Sequence, residues 1–253
     1  MAGLHLIKTY SSDSDEDKYD EEKEDDDKIV NKLALPASIL SLKGDTCHEE
    51  VIDNPSDHDG RIRSFKHERG NWATLVYIDY TISDCLRTWM KSVLNELPIQ
   101  GDIISSLHIS LSRTLVLKFH WIESFVEGLK LLCRGFHQFV VQLTDVKVYC
   151  NEERTRTFLG IYCQDEDGTL KRLTEAIDCL LAEYQLPSFY KDISYHISFF
   201  WCLGDKQIYL KKILPSLTCS LNKFLAENME DTYVHVKEIQ CKIGNKCYSF
   251  ELK

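Results

Sequence analysis

The sequence has no apolar run long enough to cross a bilayer. Residues 1–10 lack a cationic stretch followed by an apolar core, so no secretory signal is expected. The ten cysteines contain no Cys-x-x-Cys pair, and the closest two are Cys241 and Cys247. That spacing argues against a zinc site and against a secreted disulfide framework, and points to a reducing compartment, cytosol or nucleus. Cys133, Cys163 and Cys202 sit in apolar strings and read as small buried thiols. An excess of positive charge is also missing. Lys and Arg number 30 against 40 Asp and Glu, a net charge of −10. Residues 1–28 hold eleven acids and four lysines, so −7 of that charge is tail and −3 belongs to the remainder. A near-neutral body lacks the field of a general duplex binder; any RNA would be gripped as a short single-stranded stretch.

What is present is one phrase used twice. Leu107-His108-Ile109-Ser110-Leu111 and Tyr195-His196-Ile197-Ser198-Phe199 each read apolar, His, Ile, Ser, apolar, and the two histidines stand 88 residues apart. Side chains alternate along a strand, so His at i and Ser at i+2 share one face while Ile enters a core on the other. Two such strands side by side would present two imidazoles and two hydroxyls to a common surface. That set can move protons at both ends of a phosphodiester without a metal. The other seven histidines have no matching Ser and read as surface or structural.

Composition is otherwise ordinary for a globular protein, 43% hydrophobic and 11% aromatic. Three parts are expected: a disordered acidic tail over 1–32, with Ser12 and Ser14 open to an acid-directed kinase; a linker over 33–69; and a folded body over 70–253. Within the body, strands are expected at 72–80, at both His phrases, over 136–149 as one or two pieces, and at 158–164, 233–242 and 246–252. Helices are expected from a Ser83 or Asp84 cap to 97, over 119–133, over 169–184, and over 206–225 with an interruption at Pro215. Each half then runs strand, helix, His strand, helix, strand. The expected fold is α+β, a duplicated lobe giving one His phrase from each half to a central cleft.

The two His-x-Ser phrases resemble the two-histidine (2H) phosphoesterase superfamily. Arg69-Gly-Asn-Trp-Ala-Thr74, Arg156-Thr-Phe158, Trp201-Cys-Leu-Gly-Asp205 and Cys241-Lys-Ile-Gly-Asn-Lys246 further resemble its U6 small nuclear RNA phosphodiesterase branch, from about Arg61 to the C-terminus. The resemblance implies a bilobed fold of two antiparallel sheets related by pseudo-twofold symmetry. It implies a nuclear, monomeric 3′–5′ exoribonuclease that needs no metal or other cofactor, touches no membrane and trims the single-stranded 3′ end of U6 RNA. The 2′-hydroxyl would attack and leave a 2′,3′-cyclic phosphate. It further implies His108 as proton acceptor, His196 as proton donor, and Ser110 and Ser198 on the phosphate. Tyr190 would stack on the terminal base, and Ile109, Ser194, Tyr195 and Ile197 would belong to the nucleotide-binding strands. Glu152 stands where the family pattern has a glutamine, and Ile193 where it has a proline. Arg154, Arg156 and Lys191 could balance phosphates, whereas Asn71 and Thr74 are read as supports. The sequence alone does not separate the roles of the two histidines. Two other readings stay open: a cyclic phosphodiesterase or 2′,5′-RNA ligase-like enzyme built on the same phrases, and a catalytically idle RNA-binding domain.

Overall fold

A computed structural model describes Phe65 and residues 68–253. The expectations for the acidic tail, for Ser12 and Ser14, and for nearly all of the linker lie outside the described residues. The first strand, β1 (Asn71–Tyr80), runs along the middle of one half of the sheet. Its alternation buries Thr74, Val76 and Ile78 and turns Leu75, Tyr77 and Asp79 to the other face. Ser83 then caps α1 (Asp84–Glu96), its hydroxyl accepting from the Leu86 N–H, and Leu86, Trp89, Met90 and Val93 form the buried stripe. Next come β2 (Asp102–Ile103), β3 (Leu107–Ser110) and β4 (Leu115–Lys118), a 3₁₀ turn, and α2 (Ile122–Cys133). The hairpin of β5 (Phe139–Cys150) and β6 (Arg156–Gln164) leads to α3 (Thr169–Glu183), β7 (His196–Leu203) and α4 (Gln207–Glu227). The chain closes with β8 (Tyr233–Val236), β9 (Glu238–Ile243) and β10 (Lys246–Glu251).

All strand pairs are antiparallel, in the order β10-β9-β1-β3-β7-β6-β5-β8, with β4 on β1 and β2 on β7. The two expected sheets are therefore two halves of one continuous sheet. They join between β3 and β7 at the pair Ile109↔Ile197, both fully buried. One face of the sheet and the apolar stripes of the four α-helices among the described residues form a single core. The opposite face carries His108, Ser110, His196 and Ser198.

Three expectations are corrected. The halves are not contiguous pieces of chain: the segment read as one strand over 233–242 breaks at Lys237, with β8 pairing β5 in one half and β9 pairing β1 in the other. Pro215 does not interrupt α4, which runs through it. Its ring sits on the exposed side, where the Lys211 carbonyl left without a donor can take water. Finally, β2 and β4 were not expected; both are too short to leave an alternation pattern.

Candidate active site

Antiparallel register about Ile109↔Ile197 sets His108 opposite Ser198 and Ser110 opposite His196. Residues directly opposite share a face, so the four side chains form a quadrilateral with the imidazoles on one diagonal, roughly 7–8 Å apart at the backbone. That span suits two rings on either side of one phosphate. All four residues are half-buried, open enough to meet a ligand.

Both rings are held alike. His196 Nδ1 lies 2.7 Å from the Ser194 carbonyl, and His108 Nδ1 lies 3.4 Å from the Ser106 carbonyl, in each case the residue two before. A carbonyl only accepts, so each Nδ1 carries the hydrogen and each Nε2 is left for the open face. Burial pushes both imidazoles below the ordinary histidine range. Against that push, the Ser106 carbonyl and the Asp79 carboxylate raise His108. The Ser194 carbonyl raises His196, while the neighbouring His108 and the Lys147 ammonium lower it further.

The surroundings break the symmetry. Asp79 pairs with His108 on β1, whereas Tyr162 pairs with His196 on β6 and carries the Lys147 ammonium 3.2 Å above its ring. Tyr77 meets His108 edge-on at 5.4 Å. Tyr149 instead stacks flat on His196, centroids 3.6 Å apart and 13° between planes. Its hydroxyl lies 3.0 Å from Ser194 Oγ, and burial pushes its pKa up to about 12, so it stays neutral. Gly160 makes this stack possible. A Cβ there would come within 3.0 Å of both His196 Cδ2 and Tyr149 Cε2.

A second group assembles from three loops. Arg113 Nη1 pairs with Glu152 Oε1 at 2.9 Å, and its guanidinium lies 4.1 Å over the Tyr190 ring. Tyr190 is 44% exposed, so its ring is open to a ligand. Tyr190 and Glu152, each tied to the site by the family resemblance, are thus brought together by Arg113, which that resemblance did not single out. Arg113 is aimed by Ser112. That buried hydroxyl accepts from Val76 N–H and donates to the Arg113 carbonyl, ending β3 with a kink. Arg113 Nε is buried without a hydrogen-bond partner among the described residues.

Three expected contributors point elsewhere. The Ile109 and Ile197 side chains are wholly buried on the core face. The Tyr195 hydroxyl donates to Thr174 on α3 and its ring stacks near Phe189. These three can offer only backbone to a ligand. Ser194 is present, committed to Tyr149 and His196. Arg154 pairs with Asp205 at 3.4 Å. Asp79, Lys147, Tyr149, Gly160 and Arg113 were missed. Only Gly160, a glycine inside a strand, leaves a local signal; the rest depend on register and loop folding. Among the described residues no group of three or more His, Cys, Asp or Glu is placed to hold a metal. A cavity of about 860 Å³ lies off this site, lined by Gln142, Gln164, Arg172 and Tyr233 among others.

Paired strands giving two His-x-Ser sets to the open face of an antiparallel sheet define a 2H phosphoesterase fold. The solved structure of Kluyveromyces marxianus Usb1 shares that fold, with a TM-score of 0.51 and 16% identity over 72% of this chain and 98% of that one. A family model described as HVSL, an uncharacterised conserved protein, matches residues 33–251. U6 snRNA phosphodiesterase 1 of Xenopus laevis is 36% identical over 98% of this chain and all of the frog protein. The human protein of that name is 36% identical over 88% of this chain and 84% of its own length, and the Drosophila melanogaster one 35% over 88% of each. The chain belongs to the U6 snRNA phosphodiesterase 1 family. The frog match extends into the acidic tail, which the motif resemblance did not reach.

Proposed function

We propose that this chain is an RNA phosphodiesterase that shortens the 3′ end of U6 small nuclear RNA one nucleotide at a time. The observation that carries the reading is the diagonal of His108 and His196 across the β3·β7 pair, each Nε2 free for proton transfer. Support comes from the relatives named for this activity and from a Kluyveromyces marxianus Usb1 structure described with uridine monophosphate.

In the proposed reaction the terminal phosphodiester lies between the two imidazoles. Neutral His108 takes the proton of the 2′-hydroxyl on the penultimate ribose. That oxygen attacks phosphorus, and the bond to the 5′-oxygen of the terminal nucleoside breaks as protonated His196 supplies a proton to it. The products are a shortened RNA ending in a 2′,3′-cyclic phosphate and a free nucleoside. Each proton transfer contributes roughly 10²–10⁴-fold. Ser110 and Ser198 donate to the non-bridging oxygens as charge builds on them. Tyr190 stacks on the terminal base, with Arg113 and Glu152 beside it to meet the base edge. A nuclear location is proposed to go with that substrate, and action as a monomer.

The assignment of roles follows the family resemblance, and the resting field favours the reverse: Asp79 supports a proton on His108 while Lys147 opposes one on His196. Incubation of a uridine-ended RNA with the protein in chelator, followed by mass analysis of the 3′ end, tests the reaction. Stepwise shortening to a cyclic phosphate end is expected, with a nucleoside released in the first round and nucleoside 2′,3′-cyclic phosphates in later rounds. Unchanged length with an opened cyclic phosphate would replace this reading by the cyclic phosphodiesterase.

A further inference from the structure

The charges flanking the two imidazoles are opposite in sign. Asp79 pairs with His108 on β1, on the side of β3 away from β7. Tyr162 pairs with His196 on β6, on the side of β7 away from β3. The Tyr149 and His196 rings fill the space above Gly160, which stands opposite Lys147. The ammonium of half-buried Lys147 sits instead over the Tyr162 ring, 3.2 Å from its centroid. It has no ion-pair partner among the described residues. Its charge reaches His196 and opposes a proton there. The diagonal thus runs from a carboxylate behind His108 to an ammonium behind His196 that no carboxylate neutralises. A cation held on an aromatic face in this way remains available to an anion.

We propose that Lys147 holds the 2′,3′-cyclic phosphate that one round of trimming leaves on the nucleotide removed in the next. The inference rests on the proposed reaction, with His108 as proton acceptor and His196 as donor. The departing 5′-oxygen is then on the His196 side, and the nucleotide it belongs to extends toward β6 and Lys147. In the first round that nucleotide ends in free 2′- and 3′-hydroxyls. Every later round starts from the cyclic end made by the round before. The departing nucleotide then carries a negative charge one ribose beyond its 5′-oxygen. A phosphorus midway between β3 and β7 lies one and a half strand spacings from β6, roughly 7 Å in the plane of the sheet. One ribose between two phosphates spans that separation. The bond changes are the same in every round: the 2′-hydroxyl proton goes to His108, the 2′-oxygen bonds to phosphorus, the bond from phosphorus to the 5′-oxygen breaks, and the His196 proton goes to that oxygen. Only the leaving group differs, a nucleoside at first and a nucleoside 2′,3′-cyclic phosphate afterwards. A lysine contact to phosphate positions the end without reading its base, so it serves whichever nucleotide is last.

The experiment gives wild type, Lys147→Met and Lys147→Arg two substrates: UpU with free 2′- and 3′-hydroxyls, and UpU ending in a 2′,3′-cyclic phosphate. Met keeps an unbranched chain over Tyr162 and drops the charge; Arg keeps the charge and stacks on aromatic faces. Removing the charge changes His196 for both substrates alike. The readout is therefore the ratio of kcat/KM on the cyclic-ended dinucleotide to that on the hydroxyl-ended one. Lys147→Met is expected to lower this ratio by about three- to tenfold, and Lys147→Arg to restore most of it. Added salt should lower the ratio in wild type more than in Lys147→Met. Equal losses on the two substrates in Lys147→Met, or a ratio that falls as far in Lys147→Arg, would overturn the assignment while leaving the reaction in place. Wild type that cuts neither dinucleotide would remove the underlying reaction and the assignment with it.

Discussion

Ile109 of β3 faces Ile197 of β7, both without exposed surface, and their pairing sets the imidazoles of His108 and His196 across one diagonal. Sliding either strand by one residue would turn its His and Ser into the core and its Ile to solvent. The apolar contact on one face thus fixes the chemistry on the other. The first consequence concerns the rings. His108→Ala or His196→Ala should each lower turnover by roughly 10²–10⁴-fold, with the double variant losing little more than the worse single one. Circular dichroism should remain as in wild type, because neither ring fills the core.

The pH dependence follows from the direction of both shifts. Burial holds both imidazoles below the ordinary value of about 6.5. The rate profile should be bell-shaped with its centre on the acid side of that value, and a flat profile would exclude the pair. For stability, a lowered folded pKa means the unfolded chain binds protons more readily. The stability present above about pH 6.5 should be lost as pH falls through the lowered values. His108→Gln should reduce that loss in chemical unfolding at pH 5 against pH 7.

Asp79→Asn assigns the roles. Removing the carboxylate takes away an influence that raises His108, so the His108 pKa falls. With His108 as proton acceptor, the acidic limb of kcat/KM moves to lower pH and the alkaline limb stays. Movement of the alkaline limb alone would make His108 the donor and His196 the acceptor.

Gly160→Ala should act on the stack of Tyr149 and His196. The added methyl would sit 3.0 Å from each ring and 3.3 Å from the Ile197 carbonyl, closer than relaxed contacts allow. The rings must shift, so turnover should fall by about tenfold while unfolding free energy drops by about 1–2 kcal/mol. Tyr149→Phe, which keeps the stack and loses only the bond to Ser194, should be the milder change in both assays.

Tyr190→Ala removes the exposed ring beneath Arg113. Base stacking is worth ~1–3 kcal/mol, so KM should rise from several-fold to about a hundredfold with kcat changed less. Glu152→Gln breaks an ion pair whose carboxylate is 63% exposed. Thermal unfolding should move little, since such pairs contribute about 0–1 kcal/mol.

The legible parts of this molecule were the periodic ones. Ser83 announced α1, the apolar spacing of Leu173, Ile177 and Leu181 announced α3, and the doubled His-x-Ser phrase announced the two imidazoles and two hydroxyls that share the open face. What stayed hidden depends on partners distant in sequence. The alternation of β1 places Tyr77 and Asp79 on one face, yet nothing local says that face meets His108. Arg113 reads as a loop cation until Tyr190 and Glu152 fold onto it from two other loops. Residues 233–242 look like one strand because both pieces alternate. The break at Lys237 is decided by β5 and β1, on opposite sides of the seam.

That break shapes how the enzyme comes into being. The edge of β1 away from His108 is closed by β9, which a ribosome makes after every strand it will join except β10. The nascent chain must hold both imidazole strands ready while one flank of their sheet is still unmade. Assembly is thus dominated by contacts of long sequence separation, a topology that folds slowly. A message cut short just before Glu238 would yield a chain with every residue of the histidine quadrilateral and no finished platform to hold it.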